Sequence, residues 1–199
     1  MSTITAGDVK ALRDSTGAGM MDCKRALEEA AGDFDKAVEI LRVKGAAKAA
    51  KRGERGASEG VVESYIHATG KLGVLVEIDC ETDFVARTDD FKTFARELAL
   101  HIAGAPSPPE YVSEEEVPAE FIEAERRIFE QEAADKPENI RPKIVEGKIS
   151  KRLEDVVLLK QKHIRHDDQT IEQLRAAISQ KTGENVVIRR FARFEVGAD

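Results

Sequence analysis

The stretch VVESYIHATGKLGVLVEIDC, residues 61–80, decides the fold. Residues 62–66 and 73–78 within it are rich in the β-branched and aliphatic side chains that strands favour, and residues 68–71 (ATGK) between them have the composition of a hairpin turn. Apolar residues recur at helical spacing before this stretch, and again from Asp89 onward. Two paired strands in a largely helical chain predict an α+β fold, with helices packed against a small antiparallel sheet.

Residues 1–45 predict a head of three short helices. Thr5 and Asp8 have the spacing of a capping box at the start of the first helix. The second helix covers about residues 20–31, and we expect the third to end at Gly45. A core of this size is marginal by itself, which favours recognition over catalysis for this segment.

Residues 46–60 (AAKAAKRGERGASEG) contain almost nothing that a core could bury and predict a linker, helical at first and looser where its glycines begin. Residues 61–199 then form the α+β body. Its predicted helices run from Asp89 to the prolines after residue 105, from Pro118 through Phe129, over 136–147, over 148–155, and from Thr170 to Gly183. A final strand over 186–196 alternates apolar and polar residues, as a strand with one covered face does.

Composition narrows the function classes. With 41% hydrophobic and 35% charged residues, the chain has the make-up of a globular protein. No apolar run approaches the roughly 20 residues of a membrane span, so we expect no membrane partner. The N-terminal MSTITAGDVK lacks the pattern of a secretory signal, which predicts a cytoplasmic protein. A net charge of −7 disfavours nonspecific nucleic-acid binding.

The cysteines and histidines predict neither a disulfide nor a metal centre. Cys23 and Cys80 are the two cysteines of the chain, and they lie in segments assigned to different modules. The four histidines are scattered and form no HExxH or paired His/Cys pattern. They are His67, His101, His163 and His166. We therefore expect no metal and no cofactor.

One candidate interaction motif is LRDSTGAGMMDCKRAL, residues 12–27. It is a glycine turn that displays two methionines ahead of a helix with basic residues on its outer side. Methionine at an exposed turn is an adaptable apolar contact. From the residues alone, Met20 and Met21 equally fit a role in which they join two helices of the head.

A second candidate is EIDCETDFVAR, residues 77–87. It leaves a predicted strand, passes through acidic and hydroxyl side chains, and presents Phe84 before the next helix. The residues alone allow two placements of the Phe84 and Val85 side chains. Phe84 and Val85 either tuck under the following helix, with Thr82 or Asp83 as a local cap, or they face a partner.

Together, residues 12–27 and 77–87 resemble both signature motifs of the elongation factor Ts family. The resemblance covers nearly the whole chain, including RRFARFE at 189–195. It implies a ubiquitin-associated-like three-helix head, a linker, and a body that docks on the translational GTPase EF-Tu. The implied activity is guanine nucleotide exchange, in which GDP leaves EF-Tu. It requires neither catalytic residues nor a cofactor, so the chain is not expected to be an enzyme.

The resemblance also implies roles for individual residues. Thr82, Asp83, Phe84 and Val85 would form the loop that disturbs the Mg²⁺ and phosphate site of EF-Tu. A second set, in the head, would hold the GTPase from another side: Arg13, Gly17, Gly19, Met20 and Met21. His101 resembles a family position near the intruding helix, and it fits equally well as a histidine at the edge of a packed helix.

The chain has one copy of the body subdomain that longer members of the family repeat. The resemblance therefore implies a homodimer, in which a second chain supplies the missing copy.

Three other functions would each fit part of the sequence. The head alone would fit a ubiquitin-like or peptide-binding adaptor, but that reading leaves the body unexplained. An enzyme could use Cys80 as nucleophile with Asp83 and a distant histidine, although the end of a buried strand stabilises a thiolate poorly. The basic residues of 42–55 could bind RNA, against which stand the overall acidity and the lack of a stacking aromatic side chain there.

Overall fold

The protein is described by a computed structural model that covers residues 4–198, with the backbone alone for residues 46 and 48–51. The described residues form eight α-helices and three strands. In chain order they are α1 (Ala6–Thr16), α2 (Met20–Glu29), α3 (Phe34–Arg52), β1 (Glu59–Ile66), β2 (Leu72–Cys80), α4 (Asp83–Ala86), α5 (Asp89–Gly104), α6 (Ala119–Glu132), α7 (Arg141–Val156), α8 (Ile171–Thr182) and β3 (Val187–Glu195). The strands form one antiparallel sheet in the order β1-β2-β3. The predicted α+β class is confirmed.

Contacts within the chain define two compact units. The first unit takes the described residues of Met1–Glu63, Glu77–Arg96 and Gln173–Arg189. The second unit takes those of Ser64–Val76, Glu97–Glu172 and Arg190–Asp199. The division into a head (residues 1–45), a linker (46–60) and a body (61–199) stays a prediction.

The start of the first helix follows from its first residues. The Thr5 hydroxyl accepts a hydrogen bond from the Asp8 N–H at 3.2 Å, while the Asp8 carboxylate accepts one from the Thr5 N–H at 2.8 Å. This reciprocal pair is the predicted capping box, and it satisfies two N–H groups that the helix itself leaves without a partner.

The three N-terminal helices enclose a small apolar core. Its buried members come from all three helices, from the turn between the first two and from the C-cap of α2: Val9, Leu12, Ala18, Cys23, Ala26, Leu27, Ala30, Ala37 and Leu41. Within each helix these residues recur at the helical spacing that the sequence shows before residue 61.

Helix α3 does not end at Gly45, contrary to the expectation from the sequence. It continues to Arg52, through the Ala- and Lys-rich first half of the predicted linker. A β-carbon placed on Gly45 would lie 2.1 Å from the Gln180 side-chain oxygen, so the end of that side chain would have to move to admit a larger residue. The Arg52 guanidinium also donates to the Ser179 carbonyl at 3.1 Å.

The predicted hairpin is confirmed, and β2 is its better buried strand. The His67 N–H donates to the Leu72 carbonyl at 2.9 Å and closes the turn. Alternate residues of β2 are buried, as the period of two in a strand requires. They are Val74, Val76, Ile78 and Cys80.

The last strand is covered only at its beginning. Val186 and Ile188 are buried, but Phe194 is 68% exposed and Val196 is 72% exposed. The prediction of one covered face along the whole of 186–196 is therefore wrong for its second half. Alternation along a strand shows which residues share a face, and what covers that face is a matter of tertiary structure.

One helix replaces the two that were predicted over 136–147 and 148–155. Helix α7 runs without a break from Arg141 to Val156 and contains Gly147 in its interior. Residues of α6, α7 and the segments that flank them share an apolar core in the second unit. Its buried members are Val117, Ala133, Val145, Ile149, Leu153, Val156 and Val157. Burial of this face outweighs the helix-weakening effect of a glycine, which is about 1 kcal/mol.

No helix formed by residues 4–198 is both long enough and apolar enough to cross a membrane.

Gly60 in β1 lies against the backbone of β2. A β-carbon there would lie 2.2 Å from the Ile78 carbonyl oxygen and 2.8 Å from the Asp79 Cα. We expect Gly60→Ala to lower the free energy of unfolding by at least about 2 kcal/mol, because backbone atoms of β2 would have to move.

Urea unfolding followed by circular dichroism measures this effect. Gly56→Ala is the matched control, since a β-carbon at Gly56 meets no atom within 4 Å among the described residues. Equal stability of the two variants would contradict the packing described for β1.

Candidate partner-binding site

The second motif forms a single helical turn at the end of β2. Thr82 has an extended backbone and occupies the N-cap position of α4, and its hydroxyl oxygen lies 3.5 Å from the Val85 amide nitrogen. Thr88 then caps the next helix, with its hydroxyl accepting from the Phe91 N–H at 3.3 Å. We call residues 81–86 the Phe84 turn.

Phe84 projects from this turn into solvent. Its side chain is 79% exposed, whereas Val85 beside it is half-buried and Ala86 is buried. The alternative in which Phe84 tucks under α5 is therefore wrong. Large exposed aromatic side chains are enriched among the anchors of protein interfaces.

Asp83 carries the negative charge nearest to Phe84 along the chain. Its carboxylate pairs with the Arg87 guanidinium at 2.9 Å, one turn further on. Both groups are accessible to water, and an ion pair of this kind contributes little to stability. A partner can therefore compete for Asp83 at small cost to the fold.

The base of the turn is held by Glu184, a residue that the sequence did not indicate. The N–H groups of Glu81 and Thr82 both donate to one oxygen of its carboxylate, at 3.0 and 3.1 Å. The Thr82 hydroxyl donates to the other oxygen at 2.6 Å. Hydrogen bonds to an ionised acceptor are about twice as strong as neutral ones.

Cys80, just before the turn, is a buried structural thiol. Its S–H donates to the Thr82 carbonyl at 3.1 Å. Burial, reinforced by the negative charge of Glu184, raises the pKa of Cys80 to about 11. A thiol with this pKa is protonated at neutral pH, which opposes the alternative of a nucleophilic enzyme.

The first motif also places its apolar side chains at the surface. Met20 is 44% exposed and Met21 is 63% exposed, at the first turn of α2. The contacts between α1 and α2 are made instead by the head core, to which Leu12, Ala18 and Cys23 belong. The methionines are therefore available for a partner.

Glycines on either side of Ala18 shape this turn. Gly17 ends α1 in the left-handed conformation, φ +66°, and its N–H donates to the carbonyl of Arg13 at 2.8 Å. Gly19 is the N-cap of α2. The Arg13 side chain is exposed. All of these residues lie in the first unit, as the Phe84 turn does.

Comparison with known proteins decides the family. A family model described as Elongation factor TS matches residues 5–198. The protein named Elongation factor Ts from Carboxydothermus hydrogenoformans is 57% identical over 196 residues, which is 98% of this chain and 89% of that protein. Proteins of the same name from Syntrophus aciditrophicus and Geobacter sulfurreducens are 52% and 51% identical, over 98% of this chain and 98% and 90% of their own lengths.

This chain belongs to the elongation factor Ts family. Family membership makes it an elongation factor of protein biosynthesis.

His101, the remaining position implied by the family, is buried in the second unit. The Gln161 amide group donates to the carbonyls of Ser107 and Asp155, at 2.9 and 2.6 Å, so its oxygen is left to accept. His101 Nε2 therefore carries a proton and donates to that oxygen at 2.9 Å. Its Nδ1 accepts from the Ile164 N–H at 3.3 Å. These bonds give His101 a structural role and leave its ring no surface for direct contact with a partner.

Three histidines lie far apart or unpatterned in the sequence. In the fold their rings stack on one another. The ring of His163 lies 5.5 Å from that of His101 and 5.1 Å from that of His166. Atoms of Glu97, His163 and His166 that could bind a metal lie within 4.8 Å of one another.

The hydrogen bonds of His163 nevertheless argue against a metal at this cluster. Its Nδ1 accepts from the Arg165 N–H at 3.2 Å, so the ring proton is on Nε2 and points to the Glu97 carbonyl at 3.3 Å. A metal would need one of these nitrogens with a free lone pair. Arg165 also pairs with the Glu97 carboxylate at 2.8 Å. We therefore assign no metal role to these residues.

The buried His101 predicts that acid destabilises the second unit. Burial lowers the pKa of His101 from 6.5 to about 4, and burial lowers the pKa of His163 as well. Between pH 6.5 and 4 the unfolded chain binds a proton at residue 101 that the native state does not. The free energy of unfolding therefore falls as the pH falls through this window, by up to about 1.4 kcal/mol per pH unit for His101.

Urea unfolding at pH 7, 5.5 and 4.5 tests this linkage. His101→Gln keeps a donor and an acceptor but removes the titration, so its stability should depend less steeply on pH. His67→Gln is the control for loss of a histidine at the surface, since His67 lies exposed at the hairpin turn. Identical slopes for all three proteins would contradict the assignment.

Proposed function

We propose that this chain is a guanine nucleotide exchange factor that binds EF-Tu in its GDP form and promotes the release of GDP. The observation that carries the proposal is the exposed Phe84, on a helical turn whose base is fixed by hydrogen bonds. Membership of the elongation factor Ts family, in which residues 77–87 resemble a signature motif, supports the choice of EF-Tu as partner.

Exchange requires a difference in binding energy and no chemical step. A factor that binds the nucleotide-free GTPase more tightly than the GDP form must weaken GDP binding by the same factor, because the two equilibria are linked. Each tenfold loss of GDP affinity corresponds to about 1.4 kcal/mol of this coupling. Such a protein needs neither a cofactor nor a catalytic residue, and we propose that it is not an enzyme.

The Phe84 turn provides a means of generating that difference. Phe84 wedges between helices of the GTPase, and Asp83, whose pairing with Arg87 is exposed to water, acts beside it. Thr82 and Val85 form the base from which Phe84 projects, Thr82 as the N-cap of α4 and Val85 as a half-buried side chain. Insertion shifts the phosphate-binding loop and loosens both Mg²⁺ and the β-phosphate of GDP.

The head supplies a second area of contact. Met20 and Met21 offer flexible apolar surface that adapts to a partner. Gly17 and Gly19 allow close approach of the backbone at the turn, and the Arg13 side chain lies exposed one turn earlier. These residues hold the GTPase while the Phe84 turn acts at the nucleotide site.

We also propose that the chain is a cytoplasmic protein, because translation takes place in the cytoplasm.

Removal of the Phe84 ring should impair exchange and leave the fold intact. Truncation of an aromatic anchor at an interface costs roughly 2–4 kcal/mol. We therefore expect Phe84→Ala to slow the release of a fluorescent GDP from EF-Tu by at least roughly tenfold at equal factor concentration. Because the ring is exposed in the free protein, its thermal unfolding temperature should hardly change.

Ile128→Ala is the control for loss of an exposed apolar side chain elsewhere, since Ile128 is half-exposed on α6. It should exchange GDP at the normal rate. Undiminished GDP release with Phe84→Ala would refute the role assigned to the ring.

We further propose that the protein is a homodimer, with a second copy of this chain covering an apolar groove of the second unit. The groove has a volume of about 450 Å³ and is lined largely by apolar side chains. Its exposed members are Ile66, Leu75, Phe194 and Val196. Contiguous exposed apolar surface marks an interaction site. A second copy is the expected occupant because this chain has a single body subdomain where longer family members have two.

Light scattering at micromolar concentration should give twice the 21.9 kDa mass of the chain. Phe194→Asp would place a charge in the groove and should give the monomer mass. Val43→Asp replaces an equally exposed apolar side chain, on α3, by a charge and should remain dimeric. A monomer mass for the unchanged protein would refute the dimer.

A further inference from the structure

The position of Glu184 is set by the end of α8. That helix ends at Thr182, and Gly183 follows in the left-handed conformation, φ +79°, which glycine adopts without strain. The Ser179 hydroxyl donates to the Glu184 carbonyl at 2.6 Å. The Glu184 N–H lies 3.4 Å from the Thr182 hydroxyl oxygen. Backbone and helix end together direct the Glu184 carboxylate to the base of the Phe84 turn.

The carboxylate collects three donors at a point where the chain leaves the sheet. β2 ends at Cys80, so the N–H groups of Glu81 and Thr82 no longer belong to the strand. Both are donated to Glu184, and the Thr82 hydroxyl is donated as well. The cap residue of α4 is thus fixed through its backbone and its side chain at once.

A neighbouring set of contacts supports the same junction. The Asn185 N–H donates to the Glu81 carboxylate at 2.6 Å, and the Arg55 guanidinium lies 3.4 Å from the same oxygen. The Asn185 side-chain amide donates to the Arg55 carbonyl at 2.8 Å. Residues 184 and 185 therefore bind the segment at 81–82 from one side, and Asn185 binds the chain at residue 55.

We propose that Glu184 is a positioning residue for nucleotide exchange, which acts by holding Thr82 so that α4 presents Phe84 in one direction. This inference rests on the proposed function. Glu184 itself need not touch the partner. A side chain that is already ordered loses less conformational entropy on binding, so preorganisation of the turn strengthens the complex and speeds insertion.

Exchange kinetics with three variants test the proposal on the full-length protein. Glu184→Ala removes all three hydrogen bonds, and the rate of fluorescent GDP release from EF-Tu should fall on the order of tenfold, equivalent to about 1.4 kcal/mol. Glu184→Gln keeps the shape and an acceptor oxygen but loses the charge, so it should stay within roughly threefold of the normal rate. Glu154→Ala removes an exposed glutamate of α7 and should change nothing.

A double-mutant cycle separates positioning from general stability. If Glu184 acts through Phe84, its removal from a Phe84→Ala protein should lower the rate by less than about twofold. Amide hydrogen exchange reports the turn itself: the N–H groups of Glu81 and Thr82 should lose protection in Glu184→Ala, while those of α1 and α2 should keep it.

Each result has a distinct meaning. Slow exchange by Glu184→Ala, partial rescue by glutamine and a small effect in the Phe84→Ala background would support the inference. A normal rate for Glu184→Ala, or an equal loss in both backgrounds, would overturn it while the exchange function stands. No acceleration by the unchanged protein would overturn the proposed function, and the positioning role in exchange with it.

Discussion

The structure around the candidate site depends on one ionic hydrogen-bonded junction, in which the Glu184 carboxylate accepts two backbone N–H groups and a hydroxyl from residues 81–82. At this point a buried strand becomes a one-turn helix. Because the strand has ended, these donors would have no hydrogen-bond acceptor without Glu184. The junction restricts the backbone of the Phe84 turn, although the Phe84 side chain is exposed. Because the segment is held, the exposed Phe84 side chain starts from a fixed backbone, as its proposed insertion into a partner requires.

Much of the fold follows from local sequence patterns. The capping box at Thr5, the hairpin after Ile66 and the helix of residues 89–104 were predictable, because each is specified by side chains close together in the chain. Glycine was the main source of error. Gly45 and Gly147 look like helix stops, yet both lie inside helices, one to admit a neighbouring side chain and the other because burial on either side of it prevails.

The candidate site was predictable in part. Residues 12–27 and 77–87 stand out as motifs, and both display exposed apolar side chains. Periodicity alone could not decide whether Phe84 or the methionines face solvent, since that depends on what packs above them. Glu184 lies about a hundred residues from the turn that it holds, so no local pattern reveals it. For His101 the family resemblance implies a contact with the partner protein. Its hydrogen bonds instead place it in a buried network.

Nucleotide exchange by this chain is tested most directly by the release of a fluorescent GDP from EF-Tu of the same organism. The chain is added in substoichiometric amounts. If the chain is an exchange factor, each molecule acts repeatedly, and nearly all of the GDP is released at a rate that rises with the amount of factor. Release at the spontaneous rate, or release limited to the amount of factor added, would contradict the account.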